Sequence, residues 1–351
     1  MSQFAMQQYG KALRLLQDRV MLNSRGVPGT SPDLILISCL FFACFECLRG
    51  STQAAIIHMR SGLKLLRSYE AAPNTGSLIP GSTMRSLFTR LDNMLIEMRG
   101  SSLSMTTAED HLDVVALRPT PEDNVHDALN SLWNHILHGM LDSARALASG
   151  QAPSPSIMTP QADVKAAMKQ LHDAFSSASP SYPLPDGGDY GQDPDILRMW
   201  FLLAPMLLTA HTWDPQDAWG PHNDNFARIV ALAEVYLARC NAVNPSRKRT
   251  FSFSLGVVPP LVLTATRSRD ARVQAKALYL LSICNRREGI WDSNLAVQFA
   301  RKTIAMDQSL EATQHEDLAA IRLKNRADAF EEILVDDEDA PKMPKVEEDD
   351  D

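Results

Sequence analysis

Residues 34–48 of the chain read LILISCLFFACFECL, the longest apolar run in the sequence. The run has about 15 residues, shorter than the roughly 20 that a helix needs to cross a membrane, and it contains Glu46. Just before it, Ser31 can cap a helix, Pro32 suits the first helical position and Asp33 is an early acid. The stretch therefore predicts a buried core helix rather than a membrane span.

A second helix is predicted directly after this one. Gly50 lets the chain turn. Apolar residues then recur three and four positions apart, as one face of a helix requires, at Ile56, Met59, Leu63 and Leu66. Residues 33–67 therefore predict an antiparallel helix pair.

The C-terminal half repeats this plan. One helical stripe follows Asp270, which can cap its helix, and a second follows Asp292 or Ser293. The turn between the two helices is predicted at residues 286–289, which read RREG. The two pairs predict an all-α fold of stacked helical hairpins. This arrangement is α-solenoid-like, although the residue spacing of tetratricopeptide repeats is not kept.

Composition also favours helices over sheets, because aromatic residues make up only 7% of the chain while leucine, alanine and methionine are frequent. Only residues 250–255 (TFSFSL) alternate at period two, and two prolines follow at 259–260. At most a short extended or edge segment is expected there. Residues 196–211 predict a helix that is apolar nearly all round, buried, and kinked by Pro205.

Proline, serine and glycine indicate where domains end. They are concentrated at residues 71–82, 149–160 and 176–194. The sequence predicts four segments: an N-terminal helical lobe (1–148), a partly helical connecting region (149–194), a C-terminal helical lobe (195–335) and an acidic tail (336–351).

Negative charge is concentrated in the tail. Residues 336–351 hold nine acids and two lysines, so the rest of the chain has 32 basic and 33 acidic side chains. A body this close to neutral lacks the positive field that attracts a phosphate backbone. The tail itself has almost no apolar content and is therefore expected to be disordered.

No pattern of catalytic residues stands out. The sequence lacks the glycine-flanked serine of α/β-hydrolases and the glycine-rich loops that bind phosphate. Cys44 and Cys47 lie within an apolar helix, where a thiol keeps its proton. His135 and His138 share a helical face, but no acid of that helix completes a metal site. We therefore expect no catalytic residue, no metal, no cofactor and no enzymatic activity.

The number of cysteines and the N-terminal sequence indicate in which cellular compartment the protein resides. Five cysteines are too few for a disulfide scaffold in 351 residues, and no apolar leader follows Met1. A reducing compartment is therefore expected. The densest basic cluster, SRKR at residues 246–249, is either a nuclear import signal or a solvated loop.

Three stretches of the sequence resemble a known family. They are residues 4–20, with YGKA at 9–12; residues 40–66; and residues 251–293, with PP at 259–260, ATR at 265–267 and RREG at 286–289. In this order they resemble the C-terminal regulatory region of fungal zinc binuclear-cluster transcription factors. The third stretch is the most specific, because several of its short motifs recur together.

This resemblance implies an all-helical region that regulates activity through inhibition, effector sensing or partner contacts. The six-cysteine cluster with which those factors bind zinc and DNA is not present, so direct sequence-specific DNA binding is not expected. We expect a nuclear or cytosolic protein without membrane contact, whose protein partner is an intact family member or a second copy of itself. A gene model without its first exon would equally explain the missing cluster. The alternative function is a helical scaffold unrelated to transcription.

Candidate residues for an effector or partner site follow from the same stretches. They are Arg49, Arg60, Arg267, Arg286, Arg287, Glu288, Trp291 and Asp292. The shared positions also have a structural interpretation, which we favour. In it, Gly289 makes a left-handed turn, arginines stabilise the negative end of a helix and Trp291 fixes the hairpin.

Overall fold

A computed structural model provides the structure of the chain. It describes residues 3–24, 31–70, 79–99, 125–149, 155–178, 193–210, 216–243, 249–289, 291–311, 321–326 and 328–329. The predicted acidic tail, 336–351, lies outside these residues, and so do most of the predicted breaker segments.

Helices make up most of the described chain, which confirms the all-α prediction. In chain order the α-helices are α1 (Gln3–Ser24), α2 (Pro32–Arg49), α3 (Thr52–Glu70), α4 (Gly81–Arg99), α5 (Val125–Ala148), α6 (Pro155–Ala178), α7 (Pro194–Leu207), α8 (Asn223–Val243), α9 (Val258–Arg267), α10 (Ala271–Ile283) and α11 (Ser293–Glu311). A 3-10 helix covers Gln216–His222, and residues 321–326 are helical. Among the described helices, none combines the length and apolar character that a membrane span requires.

The predicted hairpin of residues 33–67 is confirmed as α2 and α3. Gly50 ends α2 in the left-handed conformation, with φ 82°, and its N–H donates to the Cys47 carbonyl at 3.1 Å. The N–H of Ser51 donates to the Glu46 carbonyl at 3.0 Å, so two otherwise unpaired carbonyls of the helix end are satisfied. Ser31 stands at the N-cap, but its side chain makes no capping hydrogen bond.

The C-terminal helices begin where the sequence predicted. Asp270 caps α10, because its carboxylate accepts from the backbone N–H groups of Arg272 and Val273 at 2.8 and 3.3 Å. Asp292 accepts from the N–H of Asn294 at 2.9 Å at the start of α11. Both carboxylates lie at the positive end of a helix dipole, which stabilises the helix.

Three short strands form one sheet between these helices. Strand β2 (Arg286–Glu288) is central, β1 (Thr250–Ser252) pairs with it in parallel, and β3 (Trp291–Asp292) pairs with it antiparallel. The edge position of β1 confirms the short extended segment expected within residues 250–255. Gly289 connects β2 to β3 with φ 60°, and its N–H donates to the Ser252 carbonyl at 2.7 Å.

The prediction of a plain helix-to-helix turn at residues 286–289 is wrong in one respect. Arg286–Glu288 is a strand whose three residues are all buried. The expected placement of the arginines at a helix end is also wrong, because α10 ends earlier, at Ile283. Burial is possible since each arginine has a carboxylate partner within the same motif. The left-handed glycine was correctly predicted.

The connecting region contains a longer helix than its composition suggested. α6 starts at Pro155, so Pro160 lies in its second turn instead of in the predicted break at 149–160. Proline is tolerated near a helix start, where the first N–H groups have no intrahelical acceptor. Residues 179–192 of the connecting region lie outside the described residues.

Buried apolar side chains from α2 through α11 belong to one main cluster. It includes contacts between the two predicted lobes, such as the rings of Trp133 on α5 and Trp200 on α7, whose centroids are 4.6 Å apart. Helix α7 is mostly buried, as predicted, with Pro205 in its last turn. Consecutive helices pair throughout the described chain, but the solenoid-like stack and the division into lobes stay predictions.

Candidate functional site

The buried sheet positions five of the predicted site residues: Arg286, Arg287, Glu288, Trp291 and Asp292. Side chains alternate along a strand, so Arg286 and Glu288 share one face of β2 while Arg287 points to the other. This alternation divides the charges into two groups. Each group contains an arginine and a carboxylate.

On the first face, the Glu288 carboxylate is a structural anchor. It accepts from the backbone N–H groups of Val257 and Val258 at 3.1 and 2.8 Å, at the start of α9, and from Arg286 Nε at 3.0 Å. The helix dipole of α9 adds further stabilisation of the negative charge. Gly256 precedes these amides, and a Cβ there would overlap the Glu288 carboxyl group. Glycine is therefore required by the close approach.

Arg286 lies between this carboxylate and an aromatic ring. Its guanidinium carbon is 5.3 Å from the centroid of the Tyr236 ring, within range of a cation–π interaction. Burial by itself would lower the pKa of Arg286, but Glu288 opposes it and the pKa is raised. Arg286 therefore stays charged at every physiological pH.

On the second face, Asp292 joins two arginines. Arg287 Nε lies 3.7 Å from Asp292 Oδ2, and Arg249 forms an ion pair with the same carboxylate. Asp292 also caps α11, so one side chain connects β2, the segment before β1 and the last long helix. These contacts give the residues a structural role and leave little of them accessible to a partner.

Trp291 contacts a partly buried carboxyl group that the sequence analysis did not identify. Glu97 of α4 accepts from Trp133 Nε1 at 2.7 Å and from Trp291 Nε1 at 2.8 Å, one bond to each carboxylate oxygen. Burial raises the pKa of Glu97 to about 7, although the two indole hydrogen bonds oppose the rise. Glu97 thus connects α4, α5 and β3 through a group that titrates near neutral pH.

This titration predicts a pH-dependent stability. The pKa of Glu97 is near 4.5 in the unfolded chain and about 7 in the fold, so between these values the folded state binds more protons. The free energy of unfolding should therefore fall as pH rises from about 4.5 to 7, and level off above that. Glu97→Gln cannot ionise and should lose this component. Urea unfolding at several pH values checks it: wild-type and variant curves that stay parallel would contradict the assignment.

An apolar cavity of about 150 Å³ borders Glu97 and Trp291. It is lined mainly by aliphatic and aromatic side chains of α4, α5, α7, α9 and α11, together with Leu323. Its polar lining residues are Glu97, Thr266 and Arg326. The Thr266 hydroxyl is already used, because it donates to the Val262 carbonyl at 2.9 Å.

Arg267, another predicted site residue, belongs to a charged cluster at the C-terminal end of α9, next to Thr266. Its side chain is fully buried, and its Nη1 donates to Asp307 Oδ2 at 3.1 Å. Arg322 Nε and Arg326 Nη2 approach the same carboxylate at 3.8 and 3.9 Å. Three buried arginines therefore surround a single buried aspartate.

The remaining predicted residues lie on the first helix pair and outside this arrangement. Arg49 is partly exposed and pairs with Glu46 at 3.2 Å within its own helix. Arg60 is half-buried on α3. The structure thus brings six of the eight residues into the β-sheet and α9 region and leaves these two on the N-terminal hairpin.

The cysteine pair considered from sequence stays protonated, and one histidine of the histidine pair contacts an acid of another helix. Burial raises the pKa of Cys44 to about 11 and of Cys47 to about 12, so both thiols are protonated at neutral pH. His138 Nε2 lies 2.7 Å from Asp92 Oδ2, an acid supplied by α4. Within the residues that the structure describes, no three His, Cys, Asp or Glu side chains are grouped so that they could hold a metal ion.

Comparison with known proteins adds one relative. The chain is 26% identical, over an alignment of 407 residues, to the aspercryptin biosynthesis cluster-specific transcription regulator of Emericella nidulans. It is similar to a fungal transcription regulator. The alignment covers 91% of this chain and 63% of the regulator, so the chain spans less than two thirds of its relative. No family model matches the chain, and no solved structure matches it.

Proposed function

We propose that the chain is a transcription-regulator-like protein that acts by contact with other proteins. The observation that carries this proposal is the similarity to a cluster-specific transcription regulator over 91% of the chain. The all-α fold agrees with the regulatory region that the sequence resembles, which is the part of those factors that does not contact DNA. We do not assign it an enzymatic activity.

A row of exposed apolar side chains on α2 supports a contact function. Leu34, Phe41 and Leu48 are spaced seven apart, so they lie on one helix face, and they are 53%, 65% and 52% exposed. On the adjacent helix α3, Ile57 is 62% exposed. Exposed apolar side chains repeated along one helix face are characteristic of protein interfaces. We call these four residues the α2–α3 patch.

The α2–α3 patch also gives a role to two candidate residues. Arg49 follows Leu48 at the end of α2, and Arg60 is one turn beyond Ile57 on α3. Arginine beside exposed apolar residues is a typical composition for an interface. The proposed partner is an intact zinc-cluster transcription factor or a second copy of this chain. For such a protein we propose a nuclear location, with the cytosol as a second compartment.

The patch provides the test of this function. Phe41→Asp together with Leu48→Asp should reduce recovery of the partner in co-immunoprecipitation at least tenfold, because charges are introduced into an apolar contact. It should abolish promoter enrichment in chromatin immunoprecipitation as well. Val235→Asp, on the similarly exposed surface of α8, is the matched control and should leave both signals unchanged. Equal loss in the control, or no loss in the double variant, would contradict the contact.

Two further outcomes separate the alternatives. Tight, sequence-selective binding of the purified chain to DNA in a gel-shift assay would contradict a function by protein contact alone. The second candidate function, a helical scaffold unrelated to transcription, predicts no association with promoters. The same exposed patch would serve such a scaffold, so promoter enrichment of the wild-type protein decides against it.

A further inference from the structure

The cavity beside Glu97 has the size and lining of a small-molecule site. Its volume of about 150 Å³ matches that of engineered apolar cavities that stay dry and bind benzene. The lining includes the rings of Trp133, Trp291 and Phe299. A compact hydrocarbon group of roughly six carbon atoms therefore fits the space.

Several basic side chains lie next to the cavity. Arg267, Arg322 and Arg326 all approach the Asp307 carboxylate. All four side chains are at least nine-tenths buried. A buried guanidinium whose donors have no acceptor is costly, and a bound anion would reduce that cost.

Arg326 joins this cluster to the cavity. It is a lining residue, and its side chain is only 10% exposed. Its Nε and Nη2 make no hydrogen bond in the described part of the chain, since the approach of Nη2 to Asp307 at 3.9 Å is too long for one. A guanidinium with unused donors at the edge of an apolar space favours an oxygen acceptor, and a carboxylate suits its planar geometry best.

We propose that this cavity binds a small, mostly apolar carboxylic acid, with its hydrocarbon part between the tryptophans and its carboxylate on Arg326. The occupant supplies the acceptor that Arg326 Nε and Nη2 lack in the described part of the chain. Thr266 and Glu97 leave the body of the cavity apolar, because their polar atoms already have partners in the protein. The same cavity lies between helices of both predicted lobes, so an occupant contacts both.

Binding to the purified full chain tests the proposal with three probes that share one hydrocarbon length: hexanoate, hexanol and hexylamine. Isothermal titration calorimetry and thermal unfolding both report binding. Hexanoate should bind at least tenfold more tightly than hexanol, because of the charge-assisted hydrogen bond, and hexylamine should bind most weakly. Equal affinities for hexanoate and hexanol would overturn the proposal. Tightest binding of hexylamine would also overturn it, since the anchor would then be an acid such as Glu97.

Variants locate the site. Arg326→Met should lower the affinity for hexanoate about tenfold and leave hexanol unchanged, because methionine keeps the apolar stem but not the donors. The matched control is Arg322→Met, which removes an arginine of the same cluster that does not line the cavity and should cost at most a few-fold. Ala144→Phe should block all three probes by filling the space. Equal losses in the two arginine variants would overturn the placement.

If a variant fails to fold, the relative affinities of hexanoate, hexanol and hexylamine for the wild-type chain still test the proposal. The measurement needs neither DNA nor a protein partner, so its failure would leave the proposed function intact. Conversely, loss of promoter association in the α2–α3 patch variant says nothing about the cavity.

Discussion

Replacing Glu288 by alanine is expected to lower the free energy of unfolding by about 3–5 kcal/mol, the usual cost of removing one partner from a buried ion pair. Its carboxylate is 3% exposed and accepts from Val257, Val258 and Arg286. Alanine would leave the Arg286 guanidinium buried without its carboxylate, together with two unpaired amides at the start of α9. Each of these groups pays its full desolvation cost.

Urea unfolding followed by circular dichroism measures this loss. The matched control is Glu234→Ala, which breaks an ion pair with Lys276 in which the glutamate is 54% exposed. An exposed pair contributes at most about 1 kcal/mol, so the control should be close to wild type. A Glu288→Ala variant as stable as that control would show that the carboxylate does not anchor α9. Glu288→Gln keeps one acceptor and should fall between the two.

Local sequence signals were sufficient to predict the helical hairpins. Gly50 was expected to let the chain turn and Gly289 to make a left-handed turn, and both have positive φ. Asp270 was expected to cap a helix from its position before an amphipathic stripe, and it does. Each of these features depends on a few residues that are neighbours in sequence, so the local sequence is sufficient to predict it.

The strand at residues 286–288 could not be predicted in the same way. Two arginines and a glutamate in succession are typical of a solvent-exposed turn, because charged residues are rarely buried without partners. Here the partners come from β3 and from the start of α9, which is about 30 residues earlier in the chain. One signal was present: Arg286 and Glu288 are two apart, the spacing that places both on one face of a strand.

Glu97 and the cavity required contacts that are still longer in range. The hydrogen bond from Trp291 to Glu97 spans 194 residues, and no spacing rule connects positions so far apart. Within α4, Glu97 lies one turn after the buried Met94. That is a weak sign of a satisfied carboxyl group. Arg267 was selected from sequence, but its partner Asp307 and the neighbouring Arg322 were not, because the cluster forms only when α9, α11 and residues 321–326 meet.

Gly256→Ala is expected to destabilise the fold by about 3 kcal/mol, although it adds a single methyl group. The new Cβ would overlap the Glu288 carboxyl group, which three hydrogen bonds hold in place. The backbone cannot easily move away, because the Gly256 carbonyl accepts from Trp200 Nε1 at 2.8 Å. Either the carboxylate or the tryptophan must therefore lose a buried hydrogen bond.

Thermal and urea unfolding of this variant are best compared with Gly139→Ala in α5. A Cβ at position 139 would meet nothing within 4 Å, so alanine there should stabilise the helix by up to about 1 kcal/mol. A loss of stability in Gly256→Ala and a gain in Gly139→Ala would distinguish steric overlap from the general effect of replacing glycine. A neutral Gly256→Ala would mean that the Glu288 carboxylate can move without loss.

The double variant Gly256→Ala/Glu288→Ala distinguishes overlap with the Glu288 carboxylate from a requirement of the backbone itself. In a Glu288→Ala background the carboxylate is gone, so the methyl group of alanine at position 256 has nothing to displace and should cost less than about 1 kcal/mol. The coupling free energy between the two positions should therefore be about 2 kcal/mol or more, which is typical of residues in direct contact. Strictly additive losses would show that Gly256 is required for the backbone alone. The close approach of β2 to the start of α9 would then need another explanation.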